Sequence, residues 1–250
     1  MSDIVYGRNP VYESLRAKRR QFHKLILAEG IRQGDTIKQI LSLANQAGVP
    51  MEWADRDTLD GLVHANHQGV LLRASGYPYV GLYDILDAAG EREEAPLVLL
   101  LDLLKDPQNV GTLIRTAEAV GVSGVVIQER RAVGITASVV SASSGAVEHL
   151  WVAQVTNLAN TLSALKEEGL WIAGLEAVED AQIYHKADLT GPLGVVVGSE
   201  GRGMRRLVRE RCDFLIELPM RGRVASLNAS VAGSVALYEI LRQRQVKADR

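Results

Sequence analysis

Two polar residues, Ser226 and Asn228, lie where an apolar strand pattern near the end of the chain gives way to a long helical pattern. The apolar residues 214–218 end at Pro219, and a glycine-containing turn separates that proline from Ser226. Short polar side chains at such a place can cap a helix, because they accept hydrogen bonds from the unpaired amides of its first turn. The same hydroxyl and amide groups can also orient a bound ligand. The choice between helix capping and ligand binding depends on what the other segments of the chain contain.

The same succession of apolar strand, turn and polar helix start occurs in two earlier segments, 101–115 and 195–203. The first carries Asn109 and Arg115, and the second carries Glu200. A tight turn has no need of a carboxylate, so Glu200 at a strand end suits contact with a ribose hydroxyl or a cationic group. In an open parallel sheet, ligands bind beyond the carboxyl ends of the strands. We therefore expect the three segments to meet at one site.

Residue types alone leave simpler interpretations of these segments open. Residues 198–203 also suit an ordinary tight turn, since glycines allow backbone conformations that other residues avoid. Arg115 lies in an otherwise apolar helical stretch, as a surface arginine on an amphipathic helix would. Neither G-x-G-x-x-G nor G-x-x-x-x-G-K-[ST] is present, which argues against a nucleotide-dependent oxidoreductase and against a P-loop enzyme.

The remaining reactive residue types form no catalytic pattern. The five histidines show no metal-ligand spacing with Cys212, so no metal is expected. The sequence G-x-S-x-G is absent, and no Ser/His/Asp or Cys/His set emerges. Hydrolase chemistry is therefore disfavoured.

The composition is that of a globular protein in a reducing compartment. A single cysteine among 250 residues excludes an internal disulfide framework. No apolar run approaches the length of a membrane span, and the start of the chain has no signal-peptide pattern. We therefore expect a cytoplasmic protein that has no membrane partner. The net charge of −2 argues against a generally basic nucleic-acid binder, although residues 200–250 carry 11 Lys/Arg against 6 Asp/Glu.

The elements predicted around the polar segments are those of an α/β protein. From Pro96 onward, apolar strands alternate with helices: the strands are 97–104, 125–127, 170–175, 193–197 and 214–218, and the helices are 111–120, 138–146, 157–168, 204–211 and 228–245. Near-continuous apolar strands that alternate with helices indicate a parallel sheet covered on both faces. We expect a small α/β domain over residues 1–76, a linker over 77–95, and the parallel-sheet domain over 96–250.

Taken together, the three polar segments resemble the three sequence motifs of the SpoU (TrmH-like) family of RNA ribose 2′-O-methyltransferases. The first motif resembles residues 106–117, the second 197–203 and the third 218–232. Residues 4–13 and 67–70 are similar to the amino-terminal RNA-binding domain of the bacterial subgroup that methylates a guanosine ribose in 23S rRNA. The resemblance covers nearly the whole chain.

The resemblance implies a SPOUT-type fold, in which the C-terminal segment of the parallel-sheet domain threads through a loop and forms a deep trefoil knot. It implies that S-adenosyl-L-methionine binds in the knot, held mainly by the backbone of Gly198, Leu218, Met220 and Leu227. It also implies a homodimer, and an amino-terminal domain that is similar to the L30e/L7Ae ribosomal proteins and binds structured RNA.

The resemblance assigns catalytic roles to five residues: Asn109, Arg115, Glu200, Ser226 and Asn228. A ribose 2′-hydroxyl is a poor nucleophile and must lose its proton as it attacks a methyl group. Because a guanidinium is effectively always protonated, Arg115 would position the RNA and stabilise the developing alkoxide, with an RNA phosphate as a candidate proton acceptor. Glu200, Ser226 and Asn228 would orient Arg115 and the ribose, and Asn109 would hold the arrangement in place.

Three arginines near the amino terminus are candidates for RNA binding. Arg8 lies in the segment that resembles the RNA-binding domain, and Arg19 and Arg20 belong to a basic run at 16–20. Such a run is either a solvated face or a contact with phosphate. Binding of a 2′-hydroxyl is what distinguishes RNA from DNA, so RNA is the expected partner and DNA is not.

Two functional alternatives accompany the 23S rRNA assignment. The substrate could be tRNA, since only the resemblance of the amino-terminal domain favours rRNA. The chain could also be a non-catalytic RNA-binding protein of ribosome assembly on the same fold. The intact set of five predicted catalytic residues argues against this second alternative, because a protein that no longer catalyses the reaction could lose them.

Overall fold

The computed structural model describes residues 2–91, 94–224 and 226–248. Ala225, within the third motif, lies outside the described residues. Contacts divide the chain into two compact units. Unit 1 consists of Met1–Pro78 and Ile135–His149, and unit 2 consists of Tyr79–Gly134 and Leu150–Arg250.

Strands and helices alternate along most of the described chain. The strands are β1 (Ser2–Tyr6), β2 (Phe22–Ala28), β3 (Met51–Ala54), β4 (Val70–Ser75), β5 (Leu97–Asp102), β6 (Gly124–Gln128), β7 (Val152–Val155), β8 (Trp171–Leu175), β9 (Gln182–Ile183), β10 (Leu193–Gly198) and β11 (Phe214–Glu217). The helices are α1 (Arg8–Ala17), α2 (Asp35–Gln46), α3 (Arg56–Leu62), α4 (Leu82–Gly90), α5 (Pro107–Ala119), α6 (Ala137–Ala142), α7 (Leu158–Glu167), α8 (Arg206–Arg209) and α9 (Ala229–Ala248). A 3₁₀ helix covers Ala146–His149.

Unit 1 is built on a four-stranded mixed sheet in the order β1-β4-β2-β3. Strand β4 pairs antiparallel with β1 and β2, whereas β3 pairs parallel with β2. Leu25 and Leu27 of β2 are fully buried, as are Ile37 and Ile40 of α2. The alternating apolar residues of these elements therefore supply a core that belongs to unit 1 itself.

A buried ion pair is one of the contacts that join residues 135–149 to the rest of unit 1. Arg20 Nε donates to Glu148 Oε2 at 2.9 Å, and Arg20 Nη2 donates to Glu148 Oε1 at 2.7 Å. The side chains are 1% and 0% exposed. The same guanidinium donates to the carbonyl oxygen of Ser75 at 3.1 Å. Two residues 128 positions apart in sequence are thus joined by a bidentate pair in the interior.

Unit 2 is built on a seven-stranded sheet in the order β7-β6-β5-β10-β8-β11-β9. Every strand pairing in this sheet is parallel. All six residues of both β5 and β10 are buried, which is the pattern of central strands covered on both faces. The predicted α/β fold with a parallel-sheet core is confirmed. The five strands predicted from Pro96 onward are present, and β7 and β9 are additional.

Helix α4 lies within residues 77–95, the range predicted to be a linker. Ile85 of this helix is fully buried in a cluster with Val98, Leu100 and Val126 of the unit 2 sheet. A Cβ at Gly124 would lie 2.6 Å from the Ile85 side chain, so the glycine permits the close approach of α4 to β6. Helix α4 therefore contributes core to unit 2, and the domain ranges 1–76, 77–95 and 96–250 stay predictions.

A search of the described helices for a segment that is both long and apolar enough to cross a membrane finds none.

The Arg20–Glu148 pair yields a test of unit 1. Glu148→Ala removes the bidentate partner of a buried guanidinium and leaves it the longer ion pair with Asp3 Oδ2, at 3.4 Å, so we expect it to lower the free energy of unfolding by about 3–5 kcal/mol. Glu52→Ala is the matched control, because Glu52 forms an exposed pair with Lys24 on the same unit and such pairs contribute little. Denaturant titration followed by circular dichroism measures both variants. Equal unfolding midpoints for the two variants would contradict the structural role of the buried pair.

Candidate functional site

The three polar segments predicted from the sequence meet at the carboxyl edge of the unit 2 sheet. The second and third of these segments line a cleft of about 610 Å³. The cleft is lined by residues 175–177, 197–201, 203, 217, 218, 220, 226–229 and 232. All four predicted cofactor-binding residues are among them, namely Gly198, Leu218, Met220 and Leu227. Three predicted catalytic residues, Glu200, Ser226 and Asn228, line the same cleft.

A hydrogen-bonded cluster joins Asn109, Glu200 and Asn228. Asn228 Nδ2 donates to Asn109 Oδ1 at 2.8 Å and to Glu200 Oε1 at 2.7 Å. Asn109 Nδ2 also donates to Glu200 Oε1, at 2.5 Å. One carboxylate oxygen thus receives two amide N–H groups from residues that are 91 and 28 positions away in sequence. The cluster fixes the position of the Glu200 carboxylate at the edge of the cleft.

Ser230 completes the cluster and was missed by the sequence analysis. Its backbone N–H donates to Asn228 Oδ1 at 2.9 Å, and its hydroxyl donates to the same oxygen at 2.6 Å. The hydroxyl also lies 3.3 Å from Asn109 Oδ1. Because Asn228 Oδ1 is occupied as an acceptor, its Nδ2 must face Glu200. The spacing Asn228-x-Ser230 at the start of a helix is the signal that could have identified this residue.

The start of α5 places Asn109 in the cluster. Asp106 is the N-cap, and its side chain accepts hydrogen bonds from the backbone N–H groups of Gln108 and Asn109. Pro107 occupies the first turn, where its missing N–H costs nothing. This Asp-Pro start fixes Asn109 in the first turn of the helix, directly after the loop that follows β5.

The loop that carries Glu200 is closed by backbone hydrogen bonds. Ser199 N–H donates to the Gly203 carbonyl at 3.1 Å, and Gly203 N–H donates back to the Ser199 carbonyl at 2.9 Å. A Cβ at Gly198 would lie 2.4 Å from the Gly203 carbonyl carbon and 2.5 Å from the Met204 nitrogen. Any side chain at position 198 would overlap the backbone of residues 203 and 204, so the loop requires glycine there for steric reasons.

A buried carboxylate anchors the end of the same loop. Asp102, whose side chain is fully buried at the end of β5, accepts from the Arg205 backbone N–H at 2.7 Å. Its other oxygen accepts from Arg205 Nε and Nη2, both at 2.8 Å. Residues 199–204 are thereby tied to the adjacent strand immediately after they present Glu200.

Helices α5 and α9 pack closely beside the cluster. A Cβ at Gly233 would lie 2.8 Å from Leu113 Cδ1, so the glycine sets the distance between the two helices. Thr116 Oγ1 and Ser234 Oγ lie 2.8 Å apart and share a hydrogen bond. Arg115 is exposed on α5, less than two turns beyond Asn109. The structure therefore joins Asn109, Glu200 and Asn228 by direct hydrogen bonds, and Arg115 follows on the same helix as Asn109.

The chain's one cysteine lies outside the cluster and is chemically inert. Burial, and next the neighbouring Asp213 carboxylate, raise the pKa of the Cys212 thiol to about 12. The thiol is protonated at neutral pH and packs against the core of unit 2. A search for three or more His, Cys, Asp or Glu side chains that could hold a metal ion finds no such group among the described residues.

The three arginines predicted to bind RNA have different surroundings in unit 1. Arg20 is 5% exposed and its guanidinium pairs with Glu148 in the interior of unit 1, so this burial does not support the prediction that Arg20 binds RNA. Arg19 is half-buried, with its guanidinium 5.5 Å from the centre of the Tyr77 ring. Arg8 is also half-buried, and its backbone N–H donates to Gln68 Oε1 at 3.1 Å. RNA contact by Arg8 and Arg19 stays a prediction.

Two family models match the chain, and together they cover most of it. The SpoU rRNA Methylase family matches residues 96–238. The model described as RNA 2′-O ribose methyltransferase substrate binding matches residues 4–80. The first match includes the Asn109, Glu200 and Asn228 cluster and the whole cleft.

Similar proteins extend over nearly the full chain. YacO of Bacillus subtilis (strain 168), provisionally assigned as a TrmH family tRNA/rRNA methyltransferase, is 47% identical over 242 residues, which are 97% of this chain and 96% of YacO. The SpoU methyltransferase AviRb from Streptomyces viridochromogenes has a similar structure, with a TM-score of 0.82 at 22% identity over 98% of this chain and 91% of AviRb. An AdoMet-bound rRNA methyltransferase from Sinorhizobium meliloti has a TM-score of 0.79 at 22% identity, over 96% of this chain and 87% of that protein.

The parallel sheet, with its cleft and polar cluster at the carboxyl edge, defines an α/β protein of the class that binds its ligand beyond the strand ends. The chain belongs to the SpoU rRNA Methylase family. The resemblance predicted from three sequence motifs is therefore confirmed, and so is the predicted enzyme class of methyltransferase.

The steric requirement at Gly198 is testable. Gly198→Ala pushes a methyl group into the backbone of residues 203 and 204, and overpacking of this kind costs about 1–3 kcal/mol. We expect a fall in Tm of about 3 °C or more in a thermal scan. Gly191→Ala is the control, because a Cβ at Gly191 meets nothing within 4 Å. If Gly198→Ala and Gly191→Ala have the same Tm, the close approach of residue 198 to the backbone of residues 203 and 204 does not require glycine.

Proposed function

We propose that this protein transfers a methyl group from S-adenosyl-L-methionine to a ribose 2′-hydroxyl of RNA, and that its target is a guanosine in 23S rRNA. The observation that carries the proposal is the Asn109–Glu200–Asn228 cluster at the edge of a nucleoside-sized cleft. Family membership supports methyl transfer to RNA, whereas the guanosine and the 23S rRNA are the finer part of the proposal.

The cleft suits the cofactor in size and in chemistry. Its volume of about 610 Å³ falls within the usual range for a small-molecule site. Leu218, Met220 and Leu227 supply apolar surface, and the backbone at Gly198 can approach a ligand closely because no side chain intervenes. The structure of the Sinorhizobium meliloti rRNA methyltransferase contains AdoMet, which supports the same cofactor for this chain. When bound, S-adenosylmethionine supplies an electrophilic methyl group on a sulfonium.

The residues of the cluster would orient the acceptor ribose and Arg115. Glu200 carries a negative charge that two amides hold in place, so it can attract a guanidinium or accept from a ribose hydroxyl without reorganising. Arg115 carries a permanent positive charge on the same helix as Asn109, and it would stabilise the alkoxide that forms as the 2′-hydroxyl loses its proton. Ser226, at the wall of the cleft, would contact the ribose.

Assignment of RNA binding to the amino-terminal part of the chain rests on the second family match. Residues 4–80 match a substrate-binding model, and they nearly coincide with the first segment of unit 1. We propose that this unit selects the RNA and that residues 96–250 carry out the transfer, with a C-terminal trefoil knot around the cofactor. An RNA substrate also supports a cytoplasmic location.

A homodimer is supported by an apolar stripe on α9. Val231, Val235 and Tyr238 follow one another at helical spacing and are 46%, 39% and 54% exposed. The opposite side of the helix is buried, with Leu237 and Ile240 fully inaccessible. An exposed stripe of this kind on a helix that already has a buried face suits contact with a second copy of the chain.

Methyl transfer from labelled S-adenosylmethionine tests the function. The protein is incubated with unmodified 23S rRNA and, separately, with unmodified tRNA, and the ribose-methylated nucleotide is mapped. We expect one labelled guanosine in 23S rRNA. Label in tRNA alone would show that the substrate is tRNA and not 23S rRNA, while methyl transfer to RNA would stand. Label in neither RNA would favour a non-catalytic role in ribosome assembly.

Arg115→Ala tests the assignment of the alkoxide-stabilising group. Loss of a group that stabilises developing charge lowers the transfer rate by about a hundredfold or more. Glu118→Ala, at another exposed position of α5, is the control and should keep wild-type activity. Cofactor affinity and Tm are measured for both variants. Retained transfer by Arg115→Ala would remove this residue from the reaction.

Val235→Glu tests the proposed dimer. A charge at the centre of the α9 stripe would have to be buried in the interface, so we expect the variant to be monomeric in light scattering coupled to size exclusion. Leu207→Glu is the control, since Leu207 is 58% exposed on α8, outside the stripe. The stripe is not the interface if both variants have the mass of a dimer.

A further inference from the structure

A second carboxylate, that of Glu176, lines the cleft and has no part in the cluster around Glu200. Glu176 directly follows β8, and its backbone N–H donates to the Ile216 carbonyl at 3.1 Å. Its side chain is 17% exposed. Oε2 is buried and has no hydrogen-bond partner among the described residues.

The other oxygen of Glu176 is only loosely paired. Arg209 Nη1 lies 3.8 Å from Oε1, which is beyond hydrogen-bond distance. On the loop side, a Cβ at Gly203 would lie 2.6 Å from the same oxygen. The loop after β10 therefore closes onto this carboxylate only because residue 203 is glycine. Glu176 is held between that loop and the cleft, with acceptor capacity that the described part of the chain does not use.

A carboxylate of this kind is suited to accept a hydrogen bond from a ligand. Ionised Glu can only accept hydrogen bonds, and a buried acceptor that lacks a donor is destabilising. Glu176 stands at the carboxyl end of a parallel strand, beside the strands β10 and β11 that bound the cleft. Acidic residues at strand ends of doubly wound sheets bind ribose hydroxyls of nucleotide ligands.

We propose that the Glu176 carboxylate accepts a hydrogen bond from a ribose hydroxyl of the nucleoside that binds in the cleft. The inference rests on the proposed function, which makes that nucleoside the adenosyl part of S-adenosylmethionine. Glu176 is then a binding residue that selects a ribonucleoside, and it is distinct from Glu200, which faces the acceptor. Gly203 and the Glu176 carboxylate act together, because the absence of a side chain at residue 203 lets the loop pack over the carboxylate.

Calorimetric titration of the full chain with S-adenosylhomocysteine tests this inference without any need for turnover. Glu176→Gln should weaken binding about tenfold or more, because it replaces a charge-assisted hydrogen bond by a neutral one. Glu179→Gln is the matched control, since Glu179 is exposed three residues later and does not line the cleft. Thermal scans check folding, and Glu176→Gln should not lower the Tm, because it removes a buried charge.

Analogues of the ligand identify the group that Glu176 binds. Removal of both ribose hydroxyls from S-adenosylhomocysteine should weaken binding by the wild type and have much less effect on Glu176→Gln. The inosine analogue lacks the 6-amino group, and methylthioadenosine lacks the amino-acid ammonium. If the effect of Glu176→Gln disappears with either of these instead, the ribose assignment is overturned.

Two failures can be told apart. If the wild type binds S-adenosylhomocysteine and Glu176→Gln binds equally well, this inference is wrong and the proposed function stands. If the wild type binds none of these ligands, both the cofactor and this role of Glu176 are overturned together.

Discussion

The site depends on one physical interaction: two side-chain amides donate hydrogen bonds to the same carboxylate oxygen of Glu200. Asn109 and Asn228 come from the starts of α5 and α9, and each donates to Glu200 Oε1 while they also bond to each other. Three segments distant in sequence are fixed relative to one another by these few hydrogen bonds. A carboxylate held in this way can act on a substrate without first reorganising, which is the main physical requirement for stabilising a developing charge.

Other residues of unit 2 bring these three side chains within hydrogen-bond distance. Gly198 lets the loop return on its own backbone, and Asp102 ties the end of the loop to β5 through Arg205. Gly233 brings α9 against α5, so that the two asparagines come within hydrogen-bond distance. Each of these residues acts by permitting or enforcing a close approach of backbone, which explains why small residues and a buried carboxylate surround the site.

Much of this arrangement could be predicted from the sequence, because it depends on local patterns. Apolar strands followed by polar helix starts predicted the parallel sheet and the meeting of Asn109, Glu200 and Asn228 at its carboxyl edge. Ser230 was missed because the Asn228-x-Ser230 spacing also suits ordinary capping of a helix start, and its contact with Asn109 depends on the assembled site. Strand β9 was missed because two residues carry no periodicity.

Interactions between distant residues could not be predicted from local patterns. Arg20 belongs to a basic run that looks solvated, and its burial depends on Glu148, which is 128 positions away. The same pair joins the segment 135–149 to the rest of unit 1, although the surrounding sequence belongs to unit 2. The open acceptor of Glu176 is likewise a property of the assembled cleft, since it depends on where Gly203 and Arg209 lie.

The most direct test of the central claim is a crystal structure of the full chain with S-adenosylmethionine bound. We predict the cofactor in the cleft bounded by Gly198, Leu218, Met220 and Leu227, with its methyl group directed toward the Asn109–Glu200–Asn228 cluster. A cofactor bound elsewhere, or one whose methyl group points away from that cluster, would show that this cleft is not the site of methyl transfer.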